Sequence, residues 1–490
     1  MPDRLLFGSC NSQMLAQPLW PTIVDRQAAA FCWGGDAVYG DWFDGKRFQA
    51  ATPEKLAADY EWMLTSSEGY QSLIRQNVTI IGTWDDHDFG INNGDRTFPH
   101  KRETAQAFVD FIERSNPDQE KRTLLRQRAD RGDGVYAVTV FDFARSHPVL
   151  SDEEAAIDAA FSSQAPLTLS DKSVAVYTID VRSHKTPWNQ NGVRTDYQGD
   201  FLGPKQWEWL ETSLSRSTAA VNIVVSGLQV HTDRFVDGNV AEEWSRFPMA
   251  QHRLYQALLQ PNVRAPLIVS GDVHMGELLR RDCQVVGDPT TLRPLVEMTT
   301  SGMTHSWGTS FCSRPTESNP ICQFPYFQKA LGLGMHWGHL NSAWRELLHD
   351  ELTNRPQYTL ELNFGEFEFD WEQQTLTTRL VGVGGVERIK RVWQMDALSG
   401  KVPLNSTMLR NDDFSEAHDT LRLLSGADEA ILMNDYYCLP YRGPQTAMYK
   451  YFGFITSMSI PLVGFLLPII IPLWILWRCL RACCRKHKSD

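Results

Sequence analysis

Three apolar runs, far apart in the chain, each end in side chains of the kind that bind metal ions. Residues 5–7 are followed by Cys10, residues 78–81 by Asp85, and residues 266–269 by Asp272. Runs of this composition are typical of buried strands. In a sheet whose strands are joined by helical crossovers, ligands gather at the carboxyl ends of the strands. The sequence therefore predicts an α/β fold with one site assembled from remote residues.

The polar clusters contain thiol, carboxylate, phenol, amide and imidazole groups. They comprise Cys10; Asp36, Tyr39 and Asp41; Trp84 to Asp88 with Asn92 and Asn93; and Ser270 to His274. Taken alone, a Gly-Asp-x-His sequence is more typical of a capped turn, and a lone cysteine is more typical of a buried thiol. The run Asp85 to Asp88 differs, because like charge beside an apolar strand is costly unless cations or strong donors neutralise it. The clustering therefore predicts a metal centre.

Seven motifs follow one another along the chain. They are Phe7-Gly8-Ser9-Cys10, Gly35-Asp36-x-x-Tyr39-Gly40-Asp41, Trp84-Asp85-Asp86-His87-Asp88-Phe89-Gly90-x-Asn92, Gly203-Pro204-Lys205-Gln206-Trp207-Glu208-Trp209-Leu210, Ser226-Gly227-x-Gln229-Val230, Glu243-Trp244-x-x-Phe247-Pro248 and Ser270-Gly271-Asp272-Val273-His274. In this order they resemble the motifs of the PhoD-like (alkaline phosphatase D) metallophosphatases. The resemblance covers roughly residues 4 to 380. Shared fold and motifs leave the substrate a separate question.

The resemblance implies a fold and a metal content. The family is similar to purple acid phosphatases and other calcineurin-like phosphoesterases, which implies a four-layer α/β/β/α sandwich. It also implies a site that holds ferric iron and calcium, with other divalent cations possible. The iron ligands carried over are Cys10, Asp36, Tyr39 and His274. Thiolate, phenolate and imidazole are donors that suit such an ion.

The calcium side implied by the resemblance uses oxygen ligands. Asp36 would bridge the two ions, and Asn92 and Asp272 would add amide and carboxylate oxygens, which calcium selects. Asp86 is a second candidate, because it immediately precedes His87, where related phosphoesterases carry an Asn ligand. The sequence leaves the choice between Asp86 and Asn92 open.

The resemblance also implies a reaction. A metal-bound water would attack the phosphorus of a phosphate ester in line, and no protein nucleophile is required. His87 is the candidate for protonating the leaving alkoxide. Its alternative role is to orient Asp85 or Asp86 through a hydrogen bond. Arg182 resembles a family position and would clamp phosphate oxygens, or else pair structurally with Asp180 or another acid.

Composition and periodicity agree with an enzyme of this size. The chain has 490 residues and a formal net charge of -12, which argues against a nucleic-acid partner bound through a basic face. Helices are predicted over 52–74, 104–112 and 202–213. Strands are predicted over 135–143, 174–181, 223–230, 358–369 and 376–381, with a half-exposed antiparallel ladder in the last two. Loops are predicted over 302–357, where His305, His336 and His339 either reach the substrate or pack.

The expected organisation is a phosphatase domain over 1–400, an extension over 401–451, a transmembrane helix over 452–477 and a basic tail over 478–490. The segment 452–477 carries no charged residue and is long enough to span a bilayer. The cations that follow it place the tail in the cytoplasm by the positive-inside rule. The lipid bilayer is thus an expected partner of the C-terminal helix.

The start of the chain conflicts with this topology, because Met1 to Arg4 run directly into the first strand without a signal peptide. Either a signal has been removed, or the protein is tail-anchored with its enzyme in the cytosol. Cys312 and Cys322 are spaced to form a disulfide, and the sequons at Asn77 and Asn405 also favour an extracytoplasmic or lumenal domain. Cys32, Cys283 and Cys438 have no obvious partners. We expect a single-pass protein with its catalytic domain outside the cytoplasm.

Two alternatives remain open. A phosphodiesterase that acts on phospholipid or GPI-type substrates would use the same site, and the membrane anchor makes that reasonable. A noncatalytic membrane-bound binding protein would be expected to have lost some ligands, whereas all the expected residue types are present.

Overall fold

A computed structural model describes residues 3–117, 123–149, 168–188, 196–232, 242–309, 357–402, 411–425, 435–439, 466, 470–475 and 477–478. The strands are β1 (Arg4–Gly8), β2 (Ala30–Gly34), β3 (Trp42–Phe43), β4 (Phe48–Gln49), β5 (Thr79–Thr83), β6 (Ala137–Asp142), β7 (Ser173–Ile179), β8 (Val221–Ser226), β9 (Pro266–Ser270), β10 (Gly276–Val285), β11 (Asp288–Thr300), β12 (Tyr358–Thr359), β13 (Phe364–Asp370), β14 (Thr375–Val381), β15 (Glu387–Gln394) and β16 (Tyr436–Leu439). The helices are α1 (Trp20–Asp25), α2 (Pro53–Thr65), α3 (Glu68–Ile74), α4 (Asp86–Phe89), α5 (Lys101–Arg114), α6 (Thr123–Arg131), α7 (Gly203–Arg216), α8 (Pro248–Leu258), α9 (Met395–Leu398) and α10 (Asn411–Ser425).

Two large sheets carry the fold. The first has the strand order β15-β14-β13-β1-β2-β5, and the second has the order β12-β10-β11-β9-β8-β7-β6 with β16 added beside β10. The strands β1, β2 and β5 are parallel, as are β7, β8, β9 and β11. The remaining pairs in both sheets are antiparallel. The prediction of a mixed α/β fold is confirmed.

The central strands are apolar on both faces because both faces are covered. Leu5 and Phe7 of β1 lie in the core between the two sheets, whereas Leu6 turns into the core under α2, α3 and α5. In the second sheet Val225 faces the first sheet, and Val224 faces the core under α7 and α8. Side chains alternate along a strand, so continuous apolar runs are what such doubly covered strands require. The layers therefore run helix, sheet, sheet, helix.

The helix predicted over 52–74 is two helices, α2 and α3. Thr52 begins α2 as predicted, because its side chain accepts a hydrogen bond from the backbone nitrogen of Lys55 at 3.2 Å. The break falls at Ser66 and Ser67, where Ser67 is buried and donates to Oε1 of Gln17 at 2.7 Å. This inward hydrogen bond competes with continuation of the helix.

The strand predicted over 358–369 is also divided, because β12 pairs with β10 of the second sheet while β13 lies in the first. The antiparallel pairing of β13 with β14 is confirmed. The expectation of a half-exposed ladder is wrong at Glu366, whose side chain is fully buried. Arg379, Arg26 and Arg4 surround this carboxylate at 2.7, 3.3 and 3.6 Å. The alternating pattern predicts that the Glu366 carboxylate faces water, but three guanidinium groups surround it instead.

A disulfide joins Cys283 of β10 to Cys438 of β16, across directly opposed positions of the two strands. The sequence offered no partner for either cysteine. The predicted pairing of Cys312 with Cys322 lies outside the described residues, as do His336, His339 and Asn405.

The C-terminal segment is described only in part. Of the predicted span 452–477, the structure describes 466, 470–475 and 477. Within the described parts of the chain, no helix is long and apolar enough to cross a membrane.

Candidate metal centre

The site residues follow the ends of parallel strands in both sheets. Cys10 follows β1, Asp36 follows β2, Asp85 follows β5, and Asp272 and His274 follow β9. Four of the five have left-handed backbone, with φ of 59° at Cys10, 51° at Asp36, 72° at Asp272 and 53° at His274. Such conformations cost about 1–3 kcal/mol each in non-glycine residues, and they cluster at functional sites.

Cys10 and Tyr39 meet at the carboxylate of Asp36. The Cys10 Sγ lies 3.6 Å from Oδ2 of Asp36, and the Tyr39 hydroxyl donates to the same oxygen at 3.3 Å. The Cys10 Sγ also lies 3.0 Å from the Ser301 hydroxyl. Cys10 and Asp36 are almost wholly buried, and burial raises the pKa of the Cys10 thiol, the Asp36 carboxyl and the Tyr39 phenol well above their ordinary values.

His274 joins this group from the second sheet. Its backbone nitrogen donates to the Ser301 hydroxyl at 2.7 Å, and its ring lies 4.4 Å from the ring of His305. His305 in turn places Nε2 3.1 Å from the Tyr39 hydroxyl. Burial lowers the pKa of His274 to about 3, so its imidazole is neutral and able to bind a cation. Cys10, Asp36 and Tyr39 therefore meet directly, and His274 is linked to them through Ser301 and His305.

The carboxylates form two groups that share Asp86. Ligand atoms of Asp36, Asp86 and His87 lie within 4.8 Å of one another, as do those of Asp85, Asp86 and Asp272. Within the described residues, Oδ2 of Asp85 and Oδ1 of Asp86 are buried and have no hydrogen-bond partner. Buried polar atoms without partners are rare, and binding of an ion is one recognised reason for them.

The protonation of these acids also fits a cation site. Burial raises the pKa of Asp85 to about 7, and it raises that of Asp272 well above its ordinary value. Burial acts in the same direction on Asp86, but the charges of His87 and Arg182 outweigh it and lower its pKa. A protein that buries several carboxyl groups together must leave some of them protonated or bring in positive charge. Metal ions would satisfy the second condition.

Asp88 serves the backbone rather than the ligand set. Its Oδ1 accepts from the backbone nitrogen of Asp85 at 2.7 Å, and its Oδ2 accepts from that of Ala37 at 2.9 Å. It thus caps α4 and ties this helix to the loop that carries Asp36.

His87 is held between an acid and two rings. Its Nδ1 lies 2.6 Å from Oδ1 of Asp41, and its ring stacks on Tyr39 at 4.2 Å and contacts Phe48 at 5.7 Å. Burial works to lower its pKa, but the charges of Asp86, Asp41 and Asp36 outweigh burial and raise the pKa well above the ordinary value.

Arg182 lies behind the acids, fully buried. Its Nε donates to Oδ1 of Asp85 at 2.6 Å, and its Nη1 donates to Glu242, which also pairs with Lys185. Asp180 instead accepts from the backbone nitrogens of Arg182 and Ser183. Of the two roles that the sequence left open for Arg182, this placement favours a structural pair with an acid other than Asp180.

Asn92 contacts the site residues through its backbone. Its backbone nitrogen donates to Oδ2 of Asp41 at 2.8 Å. Asp86, the alternative candidate, has ligand atoms in both carboxylate groups.

Three residues contribute to the site beyond the predicted ligands. Asp85 belongs to the acidic run of the sequence, Ser301 belongs to no motif, and His305 is predicted as a substrate contact or a packed residue. Ser301 directly follows β11, so its position at a strand end was a usable signal.

Comparisons with known proteins indicate the same family that the sequence motifs resemble. The family model described as PhoD-like phosphatase matches residues 171–326. A solved structure titled "Structure of PhoD" is similar with a TM-score of 0.52 and 11% sequence identity, covering 95% of this chain and 78% of that one. At this identity the structural likeness concerns the fold. No curated protein matches the chain. The resemblance to PhoD-like phosphatases is confirmed over residues 171–326.

Proposed function

We propose that this chain is a metal-dependent phosphoric ester hydrolase whose reaction takes place among Cys10, Asp36, Asp86, Asp272 and His274. The observation that carries the proposal is the pair of buried carboxylate oxygens without hydrogen-bond partners, on Asp85 and Asp86, at the point where the strand ends meet.

The donor chemistry supports two ion positions. Iron would be held by Cys10, Asp36, Tyr39 and His274, which combine thiolate, carboxylate, phenolate and imidazole. Calcium or another divalent cation would be held by oxygens of Asp36, Asp86, Asp272 and either Asp85 or Asn92. Ions in these positions supply Lewis acidity toward water and toward the phosphoryl oxygens.

His87 is proposed to give a proton to the oxygen of the leaving alcohol. Asp41 fixes the ring through Nδ1 at 2.6 Å, which leaves Nε2 as the donor. Tyr39 supports one ring face at 4.2 Å, so the imidazole is held in place before substrate binds.

Arg182 is proposed to position Asp85. Its guanidinium engages Oδ1 of that carboxylate and leaves Oδ2 for an ion. Hydrogen bonds of this kind orient ligands and tune their basicity.

Membrane attachment is a separate part of the proposal. The segment 452–477 would form a single transmembrane helix, with the catalytic domain outside the cytoplasm and the tail 478–490 inside. The absence of charged residues from 452–477 supports a span, and a disulfide between Cys283 and Cys438 is typical of proteins in oxidising compartments.

The test is to purify the full chain in detergent, measure its metal content, and assay hydrolysis of 4-nitrophenyl phosphate and bis(4-nitrophenyl) phosphate. We expect iron and a divalent cation together with turnover of at least one ester. A folded protein that binds no metal and hydrolyses neither ester after metal addition would contradict the proposal.

A further inference from the structure

The short hairpin formed by β3 and β4, residues 42–49, displays large aromatic side chains at the surface. Trp42, Phe43 and Phe48 are 47%, 45% and 38% exposed. None of them belongs to the apolar cores formed by the described residues, and β3 and β4 pair only with each other among the described strands. Grouped exposed aromatic side chains mark binding surfaces more often than isolated ones. We call residues 42–49 the aromatic hairpin.

Both ends of the aromatic hairpin are fastened to the helix that carries His87. Before the hairpin, the backbone nitrogen of Gly40 donates to the His87 carbonyl at 3.1 Å. After it, the backbone nitrogen of Ala51 donates to the Gly90 carbonyl at 2.8 Å. Asp41, the residue directly before β3, holds the His87 ring. The aromatic hairpin is therefore fixed relative to the proposed proton donor.

The turn of the hairpin is rigid as well. Oδ1 of Asp44 accepts from the backbone nitrogens of Lys46 and Arg47 at 2.8 and 2.9 Å, and its Oδ2 accepts from Gln49 at 2.6 Å. Gly45 supplies the left-handed conformation with φ of 94°. A binding surface that is ordered in advance loses less conformational entropy when a ligand arrives.

A series of ring contacts leads from the hairpin into the site. Phe43 lies 5.4 Å from Phe48, Phe48 lies 5.7 Å from His87, and His87 lies 4.2 Å from Tyr39. Phe48 is therefore the side chain that connects the solvent-exposed surface with the proposed acid.

We propose that Phe43 and Phe48 bind the organic part of the leaving alcohol, so that the site prefers phosphate esters of apolar or aromatic alcohols. This inference rests on the proposed function. In hydrolysis the phosphorus–oxygen bond to the alcohol breaks, and water supplies the oxygen of the new bond. The alkoxide takes the proton of His87, and the attacking water returns one. The oxygen that leaves must then lie beside His87, and its carbon substituent lies against the neighbouring rings.

The decisive measurement compares kcat/KM for phenyl phosphate and methyl phosphate in the wild type and in the double variant Phe43→Ala/Phe48→Ala. The intrinsic reactivities of the two esters cancel when the ratio of their kcat/KM values is compared between proteins. We expect the preference for phenyl phosphate to fall about tenfold or more. A matched control is Trp62→Ala, which removes a 36% exposed aromatic side chain of α2, and its ratio should equal that of the wild type.

Phe48→Leu separates binding from folding, because it keeps an apolar side chain and should keep most of the preference. An unchanged ratio in the double variant, or an equal loss on both esters, would overturn the inference. If the wild type hydrolyses neither of these monoesters, calorimetric titration with phenylphosphonate and methylphosphonate still tests the hairpin, and the proposed function is judged separately by its own assay with the nitrophenyl esters and by the metal content. Tighter binding of phenylphosphonate that disappears in the double variant supports the inference, and equal affinities in the wild type contradict it.

The apolar alcohol could belong to a dissolved phosphate ester or to a membrane lipid. Hydrolysis of dihexanoyl phosphatidic acid, compared with that of its long-chain counterpart, distinguishes the two. If hydrolysis of the dissolved monomers depends on Phe43 and Phe48, soluble apolar esters are substrates and no membrane is needed. Dependence seen only with bilayer vesicles of the long-chain lipid assigns a membrane source. Dependence in neither form would count against the inference.

Discussion

Arg182 donates from Nε to Oδ1 of Asp85 at 2.6 Å, and both side chains are fully buried. The same guanidinium reaches Glu242, which also pairs with Lys185, so two cations and two acids are buried together behind the site. Because Oδ2 of Asp85 has no hydrogen-bond partner within the described residues, the pair presents one oriented oxygen toward Asp86 and Asp272.

Replacing Arg182 should therefore affect metal binding as well as stability. Arg182→Lys keeps the charge but loses the planar fork, and we expect metal affinity to fall about 10–100-fold. Arg182→Met leaves the buried carboxylate of Asp85 without its guanidinium partner, while Glu242 keeps Lys185, and it should lower the free energy of unfolding by about 3–5 kcal/mol. Metal content after dialysis and urea unfolding measure the two effects. Arg131→Lys is the control, because the Arg131 side chain is 57% exposed where it pairs with Asp133, and it should change neither quantity measurably.

Asp36 and Asp88 should respond differently to the same change. Asp36→Asn removes charge from the carboxylate that Cys10, Tyr39 and the proposed ions share, and we expect a loss of about a thousandfold or more in kcat/KM, or several kcal/mol of transition-state stabilisation. Asp88→Asn weakens two hydrogen bonds to backbone nitrogens and should cost mainly stability, about 1–3 kcal/mol. Kinetics at full metal loading and thermal unfolding separate the two. Near-normal turnover by Asp36→Asn would show that its bridging role is misassigned.

Tyr39 should give the protein a visible colour if its phenolate binds ferric iron. We expect a charge-transfer band that Tyr39→Phe abolishes while the fold is retained, and Cys10→Ser should remove any separate contribution from the thiolate. The spectra are compared at equal iron content. An unchanged spectrum in Tyr39→Phe would restrict its role to the contacts with Asp36, His87 and His305.

His231 should make the protein less stable in mild acid. It is fully buried, its Nε2 lies 3.0 Å from the Leu295 carbonyl, and its Nδ1 lies 3.1 Å from the Tyr255 hydroxyl. Burial and the nearby Arg281 hold its pKa well below 6.5, so the unfolded chain binds a proton that the folded protein does not. Stability is therefore lost as the pH falls below about 6.5, by up to about 1.4 kcal/mol per pH unit from this group.

His231→Gln tests that contribution, because an amide keeps a donor and an acceptor but does not titrate. Urea unfolding at pH 7.5, 6.5 and 5.5 should show a smaller acid dependence in the variant than in the wild type. Parallel curves for the two proteins would exclude His231 as the source.

The disulfide between Cys283 and Cys438 should contribute strongly to stability, because it closes a loop with a sequence separation of 155 residues. A loop of this length corresponds to up to about 5 kcal/mol of lost unfolded-state entropy. We expect the variant with both cysteines replaced by alanine to unfold at lower temperature while turnover at 25 °C persists. An unchanged melting temperature would mean that the strand pairing alone holds β16.

Cys10, Asp85 and Asp272 were predictable at strand ends because each follows a run whose composition identifies a buried strand. The motifs in which Asp36, Asp86 and His274 stand made these residues predictable as candidates too. Their grouping around Ser301 and His305 was not, since it depends on how the two sheets face each other. The break between α2 and α3 and the burial of Glu366 also depend on distant partners, Gln17 in one case and Arg4, Arg26 and Arg379 in the other.

The disulfide has a mechanical consequence for where the enzyme can work. It anchors Leu439 and its neighbours to the edge of the second sheet, and residues 440–451 then lead to the proposed span. A stretch of twelve residues extends to at most about 40 Å. If 452–477 crosses a bilayer, the connection between the span and the second sheet is short. The catalytic domain would then reach only substrates close to the membrane surface, and not those in the rest of the compartment.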